Sequence, residues 1–244
     1  MVAKLALPED SSADIVNSVV NDRHHHKDFF NSLKDNWLTL VALYIQEGGD
    51  PNNIGPLDLS AHISPVRVDE ESKRKPREGE SNNPVDRLIK KRTGSLLNLY
   101  EPAEGSELHD ILDKMRRKHG LAFCPSCGEP GKPGTLDHYL PKSEHPELSI
   151  VLVNLTPMCT ECQGKKGSSA KDYAGNKLFI HPYFDPIEEV SLSLVISEPY
   201  DHPTSFEVIV PDDVEEPIKS LVERHISKID FHNRFDDFCI NEYT

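Results

Sequence analysis

Two pairs of cysteines, Cys124-Pro-Ser-Cys127 and Cys159-Thr-Glu-Cys162, carry the strongest chemical signal in the sequence. Two residues between cysteines let both thiolates of a pair reach one ion, and two pairs complete the closed tetrahedral S4 shell that structural Zn2+ prefers. Such a site supplies on the order of 10 kcal/mol toward folding a small unit. The competing reading, two redox dithiols, lacks a thioredoxin-like βαβ pattern around either pair, so the spacing predicts zinc. The fifth cysteine, Cys239, lies in an apolar helical pattern and reads as an inert core thiol. The gap between the pairs is 31 residues, longer than a simple zinc ribbon needs. The inserted stretch contains Thr135-Leu136-Asp137-His138-Tyr139-Leu140-Pro141-Lys142.

Taken singly, an Asp-His pair is ordinary surface decoration, and an Asn before Leu is an ordinary turn residue. The order is more specific: Cys-x-x-Cys, Asp-His-x-x-Pro-Lys, Asn-Leu-x-Pro-x-Cys-x-x-Cys, then Lys-Gly. It resembles the zinc-containing branch of the HNH (ββα-metal) endonuclease superfamily over about residues 121–168, with His181-Pro-Tyr-Phe-Asp185 similar to a trailing motif of related bacterial proteins. About three quarters of the chain lies outside the resemblance. The family fold implies a β-hairpin followed by a short helix, with one divalent cation held between them. By this resemblance Asp137 is a ligand of the catalytic cation, and an oxygen ligand suits a hard ion such as Mg2+ or Mn2+. His138 is the general base that takes a proton from the attacking water, a role that an ordinary pKa near 6.5 makes workable at neutral pH. Asn154 matches the residue that orients the histidine loop by hydrogen bonding. Consecutive strand residues point to opposite faces, so Asp137 and His138 serve one site only if the strand ends in a bend there.

One position departs from the family pattern. The residue after the last zinc cysteine, commonly His or Asn and a second ligand of the catalytic cation, is Gln163. A glutamine carbonyl ligates hard cations, but its extra methylene costs entropy and moves the oxygen. Reduced affinity for the cation is expected. Lys142, Lys165 and Lys166 are candidates to meet phosphates; for Lys165 and Lys166 the alternative is a solvated helix end, where lysines also suit the dipole, and proximity to the site puts phosphate contact ahead. His145 is ambiguous from sequence, and His181, which precedes Pro182, reads as a structural histidine before a third ligand.

These residues need elements to position them. Apolar residues at Phe30, Leu33, Trp37, Leu40, Val41 and Tyr44 recur at helical steps within 12–46, stopped by Gly48-Gly49-Asp50-Pro51. Residues 64–84 are charged and nearly free of apolar side chains, which predicts a mobile linker or loop; its Lys-Arg-Lys-Pro-Arg run reads as a solvated tether before a phosphate contact. A helix is predicted over 106–119, a hairpin over 190–197 and 205–210, and an amphipathic helix through Ile218, Leu221, Val222, Ile226 and Ile229. The expected organisation is a helical N-terminal region (1–63), a charged linker (64–105), a zinc-stapled HNH core (106–185), and a hairpin plus C-terminal helix (186–244). The fold class is α+β.

The net charge of −14 divides as −5 over 1–109, +1 over 110–175 and −10 over 176–244. The acidity sits in the flanks, which predicts weak unassisted affinity for nucleic acid, since phosphate neutralisation supplies most non-specific binding. The N-terminal residues lack a charged-then-apolar signal pattern, and no apolar run reaches the roughly 20 residues of a membrane span. A cytoplasmic location with no membrane partner is therefore expected. The resemblance implies an endonuclease acting on DNA before RNA, in a bacterial antiviral defence setting and beside a protein partner such as a regulatory ATPase. The alternative is a non-catalytic zinc module that binds protein or nucleic acid.

Overall fold

The computed structural model describes residues 4–187 and 192–243. Eight α-helices, four short 3-10 helices and four short strands are described, a mixed α+β architecture with helices on either side of the cysteine-rich centre along the chain. By contact the chain divides into two units that interleave in sequence. One comprises Pro8–Lys114 and His138–Leu155; the other comprises the segment through Leu7, Met115–Asp137, and Thr156 onward. None of the described helices is long and apolar enough to cross a membrane.

The first unit opens with α1 (Ser12–Asn21) and α2 (Lys27–Gln46). Ser11 caps α1, its Oγ accepting the Asp14 N–H at 3.3 Å. The stretch expected as one helical run is two helices. Chain direction changes at His26, whose φ of 59° is left-handed and cannot be passed through by a continuing right-handed helix. On α2 the expected face is buried, with Phe30, Leu33, Trp37 and Tyr44 wholly excluded from solvent. Within the same unit Trp37 Nε1 donates to the Glu147 carbonyl at 2.7 Å, and the Leu152 N–H donates to Ser12 Oγ at 3.0 Å. The segment 138–155 is thereby tied to the first two helices.

The charged stretch expected as a loop is ordered instead. It contains α3 (Pro65–Ser72) and leads into α4 (Pro84–Leu97), each starting with proline at its first turn. Apolar burial does not hold it. The buried Glu71 carboxylate accepts from Arg74 Nε at 2.7 Å, Arg87 Nε at 2.8 Å and Lys91 Nζ at 2.7 Å. Arg87 Nη1 also donates to the carbonyls of Ser81 and Asn82. Hydrogen bonds from Lys91, Arg87 and Arg74 hold the Glu71 carboxyl down to about 2. Composition alone suggested too little apolar surface for order. The ordering comes instead from one carboxylate satisfied by three cations.

The helix α5 (Glu107–Arg117) follows, with Leu108 and Leu112 buried. The strands β1 (Thr135–His138) and β2 (Leu155–Met158) form a two-stranded sheet, and α6 (Thr160–Lys166) begins directly after β2. Further along, β3 (Ser193–Ile196) pairs antiparallel with β4 (Phe206–Ile209), Leu194 opposite Val208. The expected hairpin is present; its expected start at Val190 lies outside the described residues. On β4 the alternation is clean, Phe206 and Val208 inward, Glu207 and Ile209 outward. The expected C-terminal helix is α7 (Ile218–Lys228), and α8 (Phe231–Tyr243) follows it and buries Cys239. Val222 and Ile226 of α7 pack with Ile180, Ile187 and Val210 in a core of the second unit.

Candidate functional site

The first cysteine pair is shaped by a tight backbone turn. The Cys124 N–H donates to the Glu129 carbonyl at 3.0 Å, and the Gly128 N–H returns to the Cys124 carbonyl at 2.8 Å. Gly128 has φ of 74°, a left-handed conformation in which a Cβ is strained. The second pair uses a helix start. Cys159 is the N-cap of α6, and its Sγ accepts the Cys162 N–H at 3.4 Å. The Cys159 N–H in turn donates to Cys124 Sγ at 3.4 Å.

These turns bring all four Sγ atoms within 4.8 Å of one another, the Cys127–Cys159 pair at 3.9 Å. Zn–S bonds of about 2.3 Å in a tetrahedron place sulfurs about 3.8 Å apart. The cluster therefore fits one zinc ion. None of the five cysteines is joined in a disulfide.

Two residues outside the motif complete this centre. From α8, Arg234 Nη1 reaches Cys162 Sγ at 3.5 Å and Nη2 reaches Cys127 Sγ at 3.7 Å, so one guanidinium touches a sulfur of each pair. Arg234 is also ion-paired with Glu129. From α7, buried His225 accepts the Ile180 N–H on Nδ1 at 3.2 Å, which leaves Nε2–H to donate to the Ser126 carbonyl at 2.8 Å. Burial pushes the His225 imidazole down to about 4. Neither residue was singled out from the sequence. Arg234 lies more than 70 residues from its sulfur partners, and only its place in an otherwise acidic tail could have drawn notice.

In the same unit, Asp137 is 5% exposed and Lys166 2% exposed, and Lys166 Nζ lies 3.0 Å from Asp137 Oδ2. Lys166 is therefore placed against a carboxylate and the Phe179 ring rather than in solvent. Gln163, half-buried, precedes Lys166 by three positions on α6 and so shares its face. Lys165 pairs with Asp230 at 2.7 Å. His181, wholly buried, accepts the Tyr183 N–H on Nδ1 at 3.3 Å, while its backbone N–H donates to Asp185 Oδ2 at 2.5 Å.

In the other unit, His138 is 8% exposed, and its Nε2 lies 3.0 Å from the Ser149 carbonyl. A carbonyl only accepts, so Nε2 carries the proton and Nδ1 is the basic nitrogen of the neutral ring. The Tyr100 ring meets the imidazole edge-on at 4.5 Å, and Lys142 Nζ lies 4.6 Å from the centre of that tyrosine ring. Asn154 is wholly buried and makes four side-chain hydrogen bonds. Its Oδ1 accepts from Tyr44 Oη at 2.9 Å and the Leu140 N–H at 2.8 Å, and its Nδ2 donates to the carbonyls of Leu140 and Leu148. His145 is buried with Nδ1 3.7 Å from Glu147 Oε1.

The arrangement defines an α+β protein with a four-cysteine site that fits zinc. No family model matches the chain, and no solved structure matches it. Over 65 residues it is 40% identical to Protein ea31 of Escherichia phage lambda, a match covering 25% of this chain and 21% of that protein. The chain thus spans about a fifth of the length of the curated relative it matches.

Proposed function

We propose that the chain is a metal-dependent HNH endonuclease that hydrolyses phosphodiester bonds in DNA. The observation that carries this reading is what surrounds two consecutive residues. Asp137 is a buried carboxylate facing a cation, and His138 is a buried imidazole whose proton is fixed on Nε2. The ordered motifs, and the succession β1, β2, α6 with the cysteine cluster, support it further.

In this mechanism the Asp137 carboxylate and the Gln163 amide oxygen are the residues that would hold Mg2+ or Mn2+, a donor set of the hard kind these ions prefer. When bound, the cation offsets charge on the scissile phosphate and the leaving 3′ oxygen. Lys166 must first yield its hold on Asp137. His138 Nδ1 takes the proton of the attacking water, and the Ser149 carbonyl keeps Nε2–H in place as the ring becomes charged. Asn154 acts at a distance by fixing the backbone at Leu140, and Lys142 offers charge to a phosphate. The acidic flanks and the resemblance support a defence effector that gains DNA affinity, or restraint, from a protein partner of the ATPase kind.

A non-catalytic zinc module is the second reading, favoured by the Lys166 ammonium already matching Asp137. Plasmid nicking in Mg2+ or Mn2+ separates the two, comparing the native chain with His138→Ala. The nuclease reading expects slow nicking by the lone chain, faster in high Mn2+, and its loss in a variant that keeps its fold and zinc. Equal nicking by both proteins would defeat it.

A further inference from the structure

At the turn between α1 and α2, two arginines make no ion pair among the described residues. Arg92, on α4, is only 5% exposed, yet its Nε and Nη1 have no hydrogen-bond partner among the described residues. Arg23, just after α1, has its Nε buried and without a partner among the described residues, where its side chain makes one long hydrogen bond, 3.5 Å from Nη2 to the Ser95 carbonyl. The two guanidinium groups lie over neighbouring rings at the start of α2: Arg23 over Phe30 at 4.8 Å, and Arg92 over Phe29 at 5.6 Å. Ring faces attract the cations but leave their N–H groups unsatisfied. Burial first, then the charges of Arg92 and Arg23, hold the His26 imidazole below its ordinary value. Arg67, the next cation there, is already paired with Glu70 at 2.9 Å.

The backbone adds to this. α2 is 20 residues long, and its N-cap, His26, makes no side-chain capping bond. Its first-turn amides therefore lack the side-chain acceptor that usually satisfies one of them, at the end of the helix where the dipole favours an anion. Asp28, in this first turn, is exposed and makes no ion pair with either arginine.

We propose that the α1–α2 junction is a binding site for a phosphate-type oxyanion, held by Arg23 and Arg92 at the N-terminus of α2. Planar guanidinium forks match tetrahedral oxyanions bidentately, and the anion would supply the acceptors these buried donors lack. The depth of Arg92 selects a small ion or a terminal phosphate monoester over a sugar-phosphate chain that continues on both sides. This site is independent of Asp137, His138 and the nuclease reading.

The test uses the full, zinc-loaded chain, with thermal unfolding and calorimetric titration in inorganic phosphate against chloride of equal ionic strength. Phosphate is expected to raise the native midpoint by roughly several degrees. Arg23→Gln and Arg92→Gln should each weaken phosphate affinity at least about tenfold. Arg92→Gln removes an unmatched buried charge, so in chloride it should melt no lower than the native chain; if that variant does not fold, Arg23→Gln alone decides. Competition by a 5′-phosphorylated oligonucleotide, and not by its unphosphorylated twin, would identify a nucleic-acid end as the source of the phosphate. Competition by neither would identify the free ion. No effect of phosphate beyond chloride, equal phosphate response in native and variants, or equal competition by both oligonucleotides would overturn the site.

Discussion

Lys166 Nζ and Asp137 Oδ2 lie 3.0 Å apart with both side chains almost wholly removed from water. Removing one member of a buried ion pair leaves the other charge uncompensated, which typically costs about 3–5 kcal/mol. Lys166→Met is expected to lose stability by that amount in chelator, measured by urea unfolding. If Asp137 holds a divalent cation, millimolar Mn2+ should return most of the loss, and Mn2+ should bind this variant more tightly than the native chain. A variant indifferent to Mn2+ would argue against the cation site.

The sulfur cluster makes a separate prediction. Four thiolates around Zn2+ leave about two units of negative charge, and Arg234 brings N–H donors to a sulfur of each pair. Partners of this outer kind are worth roughly ten- to a hundredfold in metal affinity. Arg234→Gln should therefore release zinc to a colorimetric chelator at least about tenfold faster, while Arg234→Lys retains charge but not the two-pronged reach and should fall between. Unchanged release in both variants would remove Arg234 from the centre.

Asn154 satisfies two donors and two acceptors at once, all away from water. Asn154→Ala removes the shared acceptor of the Tyr44 hydroxyl and the Leu140 N–H and the donor to two carbonyls, with an expected cost of about 2–4 kcal/mol. Tyr44→Phe deletes only one of these bonds and should cost about 1 kcal/mol. Chemical denaturation of the two variants checks the ratio, and equal losses would contradict it.

Acid sensitivity follows from His225. Its imidazole is held down to about 4 by burial, while the unfolded chain titrates near the ordinary 6.5. Between those values the unfolded state binds a proton that the folded state does not. The His225 contribution is thus complete above about pH 6.5 and lost as pH falls toward 4, totalling about 3 kcal/mol. His225→Gln should flatten the stability profile over this window with zinc kept saturating. His181, pushed well below its ordinary value mainly by burial, adds a slope of the same sign that the variant retains. Parallel native and variant curves would refute the assignment.

Local signals in the sequence carried the cysteine cluster, the buried face of α2 and the β3–β4 hairpin, because spacing and period report them directly. The ordered stretch around Glu71 was not legible, since its organisation depends on Arg87 and Lys91, which lie 16 and 20 residues away. The turn at His26 was hidden for another reason: nothing in the apolar period marks a left-handed residue. Tyr100 beside His138 and Arg234 beside the sulfurs are long-range meetings of ordinary residue types. The environments at Asp137, Asn154 and Gln163 came from geometry, while their suggested roles came from the resemblance.

The two units are threaded through one another along the chain, with His138–Leu155 belonging with Pro8–Lys114. A fragment trimmed to the recognisable motifs would keep the four clustered cysteines and strands β1 and β2 yet lose Tyr44, Trp37, Leu96 and Tyr100, which hold 138–155. Such a minimal piece should capture metal and still fail to set its histidine, so the helices at the start of the chain are part of the smallest working protein.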